Sequence, residues 1–246
     1  MNTQLAVYLV AGRGSRLFDK TAALPKCLIP INGEPLLIRS MNQLAAMGFK
    51  KIILVIGYEG GQIMDTFGDQ WNGMEITYIK NKDWHRTNNV VSLAMVIPAI
   101  NENFLLLEGD LIYSNNEIEK ISMKKNSMAI APLMPHMKGT TVSMDQNRLI
   151  NQLYMKSLGT KPELDIYLWK TVNIYHFIKN DFLKMIQPEL KRLLKKGNKQ
   201  CYYEQAIALA VEKRNIEIEG CVFDNENWYE IDTIDDLFAA EKIFTC

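Results

Sequence analysis

The residues of this chain best suited to chemistry are a loop of glycine and arginine, one lysine behind a proline, and two separated aspartates. Leu9-Val10-Ala11-Gly12-Arg13-Gly14-Ser15-Arg16-Leu17 continues a short apolar run. Two glycines in a turn at that place let backbone N–H groups converge on an anion without obstruction by Cβ atoms. Arg13 and Arg16 add charge and fork-shaped donors that suit phosphate oxygens. The string lacks the third glycine of a dinucleotide fingerprint and the Gly-Lys-Ser/Thr ending of a P-loop. Pro25-Lys26 then offers a lysine held by a rigid neighbour. Asp110 closes Glu108-Gly109-Asp110, where an apolar run ends, and Asp232 follows Trp228-Tyr229-Glu230-Ile231. Mg²⁺ takes one or two carboxylates together with phosphate oxygens and water. Aspartates at two strand ends meeting over one site would supply that pair, with Glu108 and Glu230 ranked behind them. Asp232 has a second reading as the N-cap of a final helix.

The elements that must position these residues follow from periodicity. Leu5–Val10, Lys51–Ile56, Met74–Ile79 and Phe104–Leu107 read as strands. Leu36–Met47, stopped by Gly48, and Gly61–Phe67 and Asn89–Ile97 read as helices between them. That alternation predicts βαβ units and a largely parallel sheet. Beyond it the rhythm changes. Met128–Leu133, Thr140–Met144, Leu149–Tyr154, Trp169–Phe177, Ile216–Val222 and Trp228–Ile231 are strand candidates, with helices expected at Phe182–Leu194, Tyr203–Val211 and Ile234–Phe244. The expected fold is α/β: a Rossmann-like mixed, mostly parallel sheet flanked by helices, with a small acceptor-binding subregion. A single domain is expected over 1–246, with 1–115 as its nucleotide-binding part and 116–246 as the acceptor-binding part and C-terminal helix. Ligands of such sheets bind at the carboxyl ends of the strands.

Composition narrows the class. The 246 residues are 48% hydrophobic and 23% charged, enough for a sizeable core. Lys+Arg and Asp+Glu both number 28, without the basic excess of a general nucleic-acid or anionic-membrane binder. Cys27, Cys201, Cys221 and Cys246 are far apart and form no CxxC pair, so they read as reduced thiols. No apolar run is long enough for a membrane span, and a cytoplasmic location is expected. His85, His136 and His176 have no assigned role.

Residues 9–17 with Pro25-Lys26, Pro30 and Gly33-Glu34-Pro35-Leu36 resemble the signature of the sugar-nucleotidyltransferase superfamily, roughly L-A-A-G-x-G-x-R-L … P-K-x-L … G-x-P-L. Val10 stands where alanine is usual. The resemblance implies that Ala11, Gly12, Arg13, Gly14, Ser15 and Arg16 face the triphosphate. It implies that Lys26 contacts the transferring or acceptor phosphate, and that Asp110 and Asp232 hold Mg²⁺. The segment from Arg148 to Lys156 resembles the family's G-x-I-x-x-x-x-E-K-P, with Met155 and Ser157 replacing Glu and Pro. Lys156 is therefore the first choice for an acceptor-side lysine, and Lys170 the second.

Asn88-Asn89-Val90-Val91-Ser92 occupies the family's base-recognition position and resembles small cytidylyltransferases of the phosphocholine and 2-aminoethylphosphonate type. Asn88, Asn89 and Ser92 would pair with the cytosine edge, while Asn88 or Asn89 can also cap a helix. Trp169-Lys170-Thr171-Val172-Asn173 and Cys201-Tyr202-Tyr203-Glu204 resemble the same group. A cationic headgroup needs aromatic faces and a carboxylate. Trp169, Asn173, Tyr203, Glu204 and Trp228 are the acceptor-side candidates, with core packing the competing role of each aromatic. The implied reaction is transfer of CMP from CTP to phosphocholine or a similar phosphate or phosphonate, with loss of pyrophosphate. Partners are then CTP and that small acceptor, with no nucleic acid and no membrane, and a homodimer left open. A hexose-1-phosphate nucleotidyltransferase using UTP or dTTP, and a catalytically silent nucleotide-sensing subunit, are the rival readings.

Overall fold

A computed structural model describes residues 3–14, 17, 23–163 and 166–244. Ser15, Arg16 and Cys246 therefore lie outside the described residues. The central strands are β1 (Leu5–Val10), β4 (Lys51–Ile56), β6 (Met74–Lys80) and β7 (Phe104–Glu108). They run parallel in the order β7-β1-β4-β6. Two-residue strands β2 (Pro30–Ile31) and β3 (Glu34–Pro35) form a separate ladder, and β5 (Gln70–Trp71) edges the sheet beside β6.

Alternation along these strands divides the core in two. Leu5, Val7, Leu9, Phe104 and Leu106 face one side. Ala6, Tyr8, Val10, Leu105 and Leu107 face the other. With side chains alternating between faces, a run apolar at every position is a strand covered on both sides. Helices α1 (Leu36–Ala46), α2 (Gly60–Phe67) and α4 (Asn115–Ser122) cover the Tyr8 face through Leu37, Met41, Ile63 and Ile118. Helices α3 (Asn89–Val96), α5 (Gln187–Lys195) and α6 (Glu204–Glu212) cover the Val7 face through Val90, Leu93, Leu190 and Ile207. Each such Leu or Ile contributes roughly 1.5–3 kcal/mol when fully buried.

The second half continues the same sheet. Strand β12 (Trp169–Phe177) lies antiparallel to β7 at its end, to β10 (Thr141–Met144) at its start, and to β9 (Ser127–Pro132) at both. Beyond these, β11 (Ile150–Tyr154) pairs β10, and β13 (Glu219–Val222) pairs β9 in parallel. Asn173 interrupts β12 with φ 62°, where the β12–β9 register shifts. A short ladder of β8 (Leu111–Tyr113) and β14 (Trp228–Glu230) leads into α7 (Ile234–Ile243).

The mixed, mostly parallel sheet flanked by helices agrees with the sequence reading. Several details differ, among them the following. α4 was not expected, because its eight residues show only Ile118 and Ile121 as apolar repeats. The strand expected from Ile216 begins at Glu219, since pairing with β9 starts there. The helix expected from Phe182 carries a π segment at Phe182–Ile186, directly ahead of Gln187-Pro188.

Candidate active site

The carboxyl ends of β1 and β7 open into a cleft of about 460 Å³. Ala11, Gly12 and Gly14 line one wall. Gly14 has φ 69°, and a Cβ there would sit 2.8 Å from Lys26 Cδ. Glycine is thus required for the Lys26 side chain to lie against the loop. Lys26 itself opens a single 3₁₀ turn, Lys26–Leu28, behind Pro25.

The two aspartates reach this lysine from opposite ends of the sequence. β8 and β14 pair Leu111 with Glu230, and Ile231 N–H donates to the Asp110 carbonyl over 2.9 Å. That ladder sets Asp110 and Asp232 side by side. Lys26 Nζ donates to Asp110 Oδ2 at 2.7 Å and to Asp232 Oδ1 at 2.9 Å. Burial alone would lower the Lys26 ammonium pKa, but the two carboxylates outweigh it and hold it above the ordinary lysine value. Cys27, on the cleft floor, is pushed up to about 12 by burial and stays a thiol. A capping box between Thr233 and Asp236 starts α7, and Asp232 N–H donates to Asp236 Oδ2 at 3.0 Å. The N-cap is Thr233, which leaves the Asp232 carboxylate facing Lys26.

Carboxylates crowd the cleft beside Lys26. Glu108, Asp110 and Glu230 each offer an oxygen within 4.8 Å of the others. Asp110 Oδ1 is buried without a hydrogen-bond partner. An all-oxygen donor set with a buried unsatisfied oxygen fits a hard divalent cation such as Mg²⁺. The grouping differs from the sequence expectation. Asp110 is clustered with the glutamates ranked behind it, while Asp232 is joined to it through Lys26. Burial, then the charges of Asp110, Glu204 and Glu230, pushes Glu108 well above the usual carboxylate range. Burial also raises Glu230 and Glu204, and Lys170 opposes it in both.

Lys170 is buried, donates to the Thr171 carbonyl at 2.7 Å and approaches Glu230 Oε2 at 3.4 Å. Glu204 accepts from Thr140 Oγ1 at 2.9 Å, and Asn173 Nδ2 lies 3.4 Å from Glu108 Oε2. Lys170, Asn173 and Glu204 all line the cleft. None of the three aromatic candidates lines the cleft. Tyr203 and Trp228 are core residues, 0% and 4% exposed, and Trp169 packs edge-on to Tyr167 outside the cleft lining. Tyr203 falls in the buried phase of α6 with Ala206, Ile207 and Ala210. Its neighbour Tyr202 is the one that lines the cleft. Reading the helical phase from Ile207 backward would have distinguished them. Lys156 is exposed on a 3₁₀ turn and lies outside the cleft lining, because the chain leaves β11 before reaching it.

Asn88, Asn89 and Ser92 line the cleft. Asn88 caps α3 through Asn89 N–H. The Asn89 amide donates to Glu108 Oε1 and accepts from Tyr203 N–H, while Ser92 Oγ accepts from Asn81. Arg13 stacks over Tyr58, whose ring meets Trp84 edge-on at 5.3 Å. Trp84 lines the cleft without having been singled out, as do Lys138, Gly139 and Thr140. His176 is buried and bonded to Thr3 and the Lys125 carbonyl, a structural histidine.

A CMP-5′-(3-aminopropyl)phosphonate synthase of Streptomyces rubellomurinus is 29% identical over 98% of the chain. A UTP–glucose-1-phosphate uridylyltransferase of Haloferax volcanii is 30% identical over 52% of it. The chain spans 38% and 52% of the lengths of these two relatives. The solved CTP:phosphocholine cytidylyltransferase of Streptococcus pneumoniae superposes with a TM-score of 0.78 at 17% identity, covering 98% of this chain and 99% of that one. Among the described residues, no helix is long and apolar enough to cross a membrane. Residues 6–125 match the model of the MobA-like NTP transferase domain, and the chain as a whole shares the Rossmann-like fold of the solved nucleotidyltransferases.

Proposed function

We propose that this chain is a Mg²⁺-dependent cytidylyltransferase, moving CMP from CTP to a small aminoalkyl phosphate or phosphonate and releasing pyrophosphate. The observation that carries the reading is a cleft that sets a glycine loop and Lys26 beside a group of carboxylates. The glycine loop with Lys26 suits a polyphosphate, and the carboxylates of Glu108, Glu204 and Glu230 in the same cleft suit a cation. Phosphocholine, phosphoethanolamine and short aminoalkylphosphonates have that polarity, and a relative named for a CMP-aminopropylphosphonate supports it.

An acceptor phosphate or phosphonate oxygen attacks the α-phosphorus, the new O–P bond forms, and the bond to the bridging oxygen of the β-phosphate breaks. The attacking oxygen is already anionic, so no general base is needed. Catalysis then rests on alignment and charge neutralisation. Asp110 and Asp232 would hold the Mg²⁺, which when bound offsets charge on the phosphate oxygens. Lys26 steers negative charge in the same place, and Asn88, Asn89 and Ser92 border the base. The uridylyltransferase relative keeps a hexose-1-phosphate reading as the second choice, although neutral sugar hydroxyls bring no cation to these glutamates.

The test is pyrophosphate release with four NTPs against phosphocholine, phosphoethanolamine, 2-aminoethylphosphonate, 3-aminopropylphosphonate and hexose 1-phosphates. CTP with an amino-bearing acceptor should be fastest. A fastest rate with UTP or dTTP and a hexose phosphate would reverse the assignment, and no release with any pair would favour a nucleotide-sensing subunit.

A further inference from the structure

Carboxylates outnumber lysines along the cleft. Two of its lysines are already matched, Lys26 by Asp110 and Asp232, and Lys170 by Glu230 and the Thr171 carbonyl. Lys138 is different. It lines the cleft, is exposed, and among the described residues its ammonium has neither a carboxylate partner nor a hydrogen-bond acceptor.

Its backbone is nonetheless anchored beside the glutamates. Thr140, two residues on, donates from Oγ1 to Glu204, and its carbonyl accepts from Thr171 N–H at 3.2 Å and Thr171 Oγ1 at 3.1 Å. Gly139 between them has φ 98°, and a Cβ there would lie 3.5 Å from Lys170 Nζ. The lysine is thus held beside the carboxylates without being neutralised by them. A zwitterionic acceptor entering there finds several partners for its ammonium. For its anion, the carboxylates offer only repulsion, which a cation without another partner offsets.

We infer that Lys138 binds the phosphate or phosphonate group of the acceptor, which makes it a specificity-determining residue; this rests on the aminoalkyl-phosphate reading above. Lys138→Ala and Lys138→Arg would be assayed with the most active NTP–acceptor pair. In parallel, binding of 2-aminoethylphosphonate, and of choline as a cation lacking phosphate, would be titrated by calorimetry. The alanine variant should lose about 10- to 100-fold in acceptor kcat/KM, the range of a charge-assisted hydrogen bond. Its KM for the NTP should stay within about twofold, the scatter below one such bond, and arginine should recover most of the loss. Phosphonate binding should weaken equally, while choline binding stays unchanged. Unaltered acceptor kcat/KM and phosphonate affinity, or a raised KM for the NTP alone, would overturn the inference. A wild-type protein that turns over no pair, yet binds phosphonate through Lys138, would sink the cytidylyltransferase reading and leave Lys138 as an anion site.

Discussion

Lys26 takes a position that a divalent cation would also seek, between Asp110 and Asp232. Asp110→Asn and Asp232→Asn each remove a charge at nearly constant volume, and a rate loss on the order of 10²–10³ is expected from each. Lys26→Ala should lower kcat more than it raises KM for the nucleotide, while tightening the apparent affinity for Mg²⁺, since a competing cation is gone. Weaker Mg²⁺ binding in that variant would show that Lys26 builds the metal site instead of competing for it. The glutamates set a pH dependence of definite sign. Glu108 is raised above 4.5, so the folded chain holds its proton more tightly than the unfolded one. That contribution is complete below about 4.5 and is lost as pH climbs through the raised value. With metal chelated, melting temperature should fall as pH climbs above about 4.5, and Glu108→Gln should flatten the fall; equal slopes would contradict the charge balance. Lys26, Asp110 and Asp232 were legible in the sequence because each sits beside a glycine, a proline or a strand end that marks its surroundings. Tyr203 and Trp228 were not, since an aromatic ring serves a core and a binding wall equally well. Lys138 carried no signal at all: a loop lysine is defined only by what folds around it.

Helices and strands act here mainly by fixing backbone next to a functional side chain. The capping box of α7 is the clearest case, because Asp236 receives N–H bonds from both Asp232 and Thr233. Thr233→Ala breaks the reciprocal cap and should cost about 1 kcal/mol, or roughly 2–4 °C in melting temperature for a chain of this size. It should also slow turnover several-fold by loosening Asp232, whereas Asp235→Ala, at a position outside the cap, should not. Equal rates in the two variants would detach the cap from the site. The parallel strands were readable because a run buried on both faces is apolar throughout, as Leu5–Val10 is. The short β8–β14 ladder, which does most to bring Asp110 and Asp232 together, was read only on the β14 side. Three-residue pairing between distant segments leaves no period to detect.

At the scale of the molecule, a ligand that joins the glycine loop, the β8–β14 ladder and α3 binds the folded chain alone. Mg²⁺ with CTP at about a hundred times its dissociation constant should therefore add about 2.7 kcal/mol, a rise in melting temperature of roughly 5–10 °C. A comparable rise with UTP would weaken the base assignment. The sheet that unites these parts turns on β12. Its end pairs with β7 of the parallel part of the sheet and its start with β10, while Asn173 breaks it in between to meet Glu108. Such a strand is a shared hinge pin and not a cassette that can be exchanged. Mutational drift toward a new acceptor has little freedom within β12, where every change is felt on both sides. It has far more in the loop before β10 and in the β10–β11 hairpin, and grafts between relatives should be cut there.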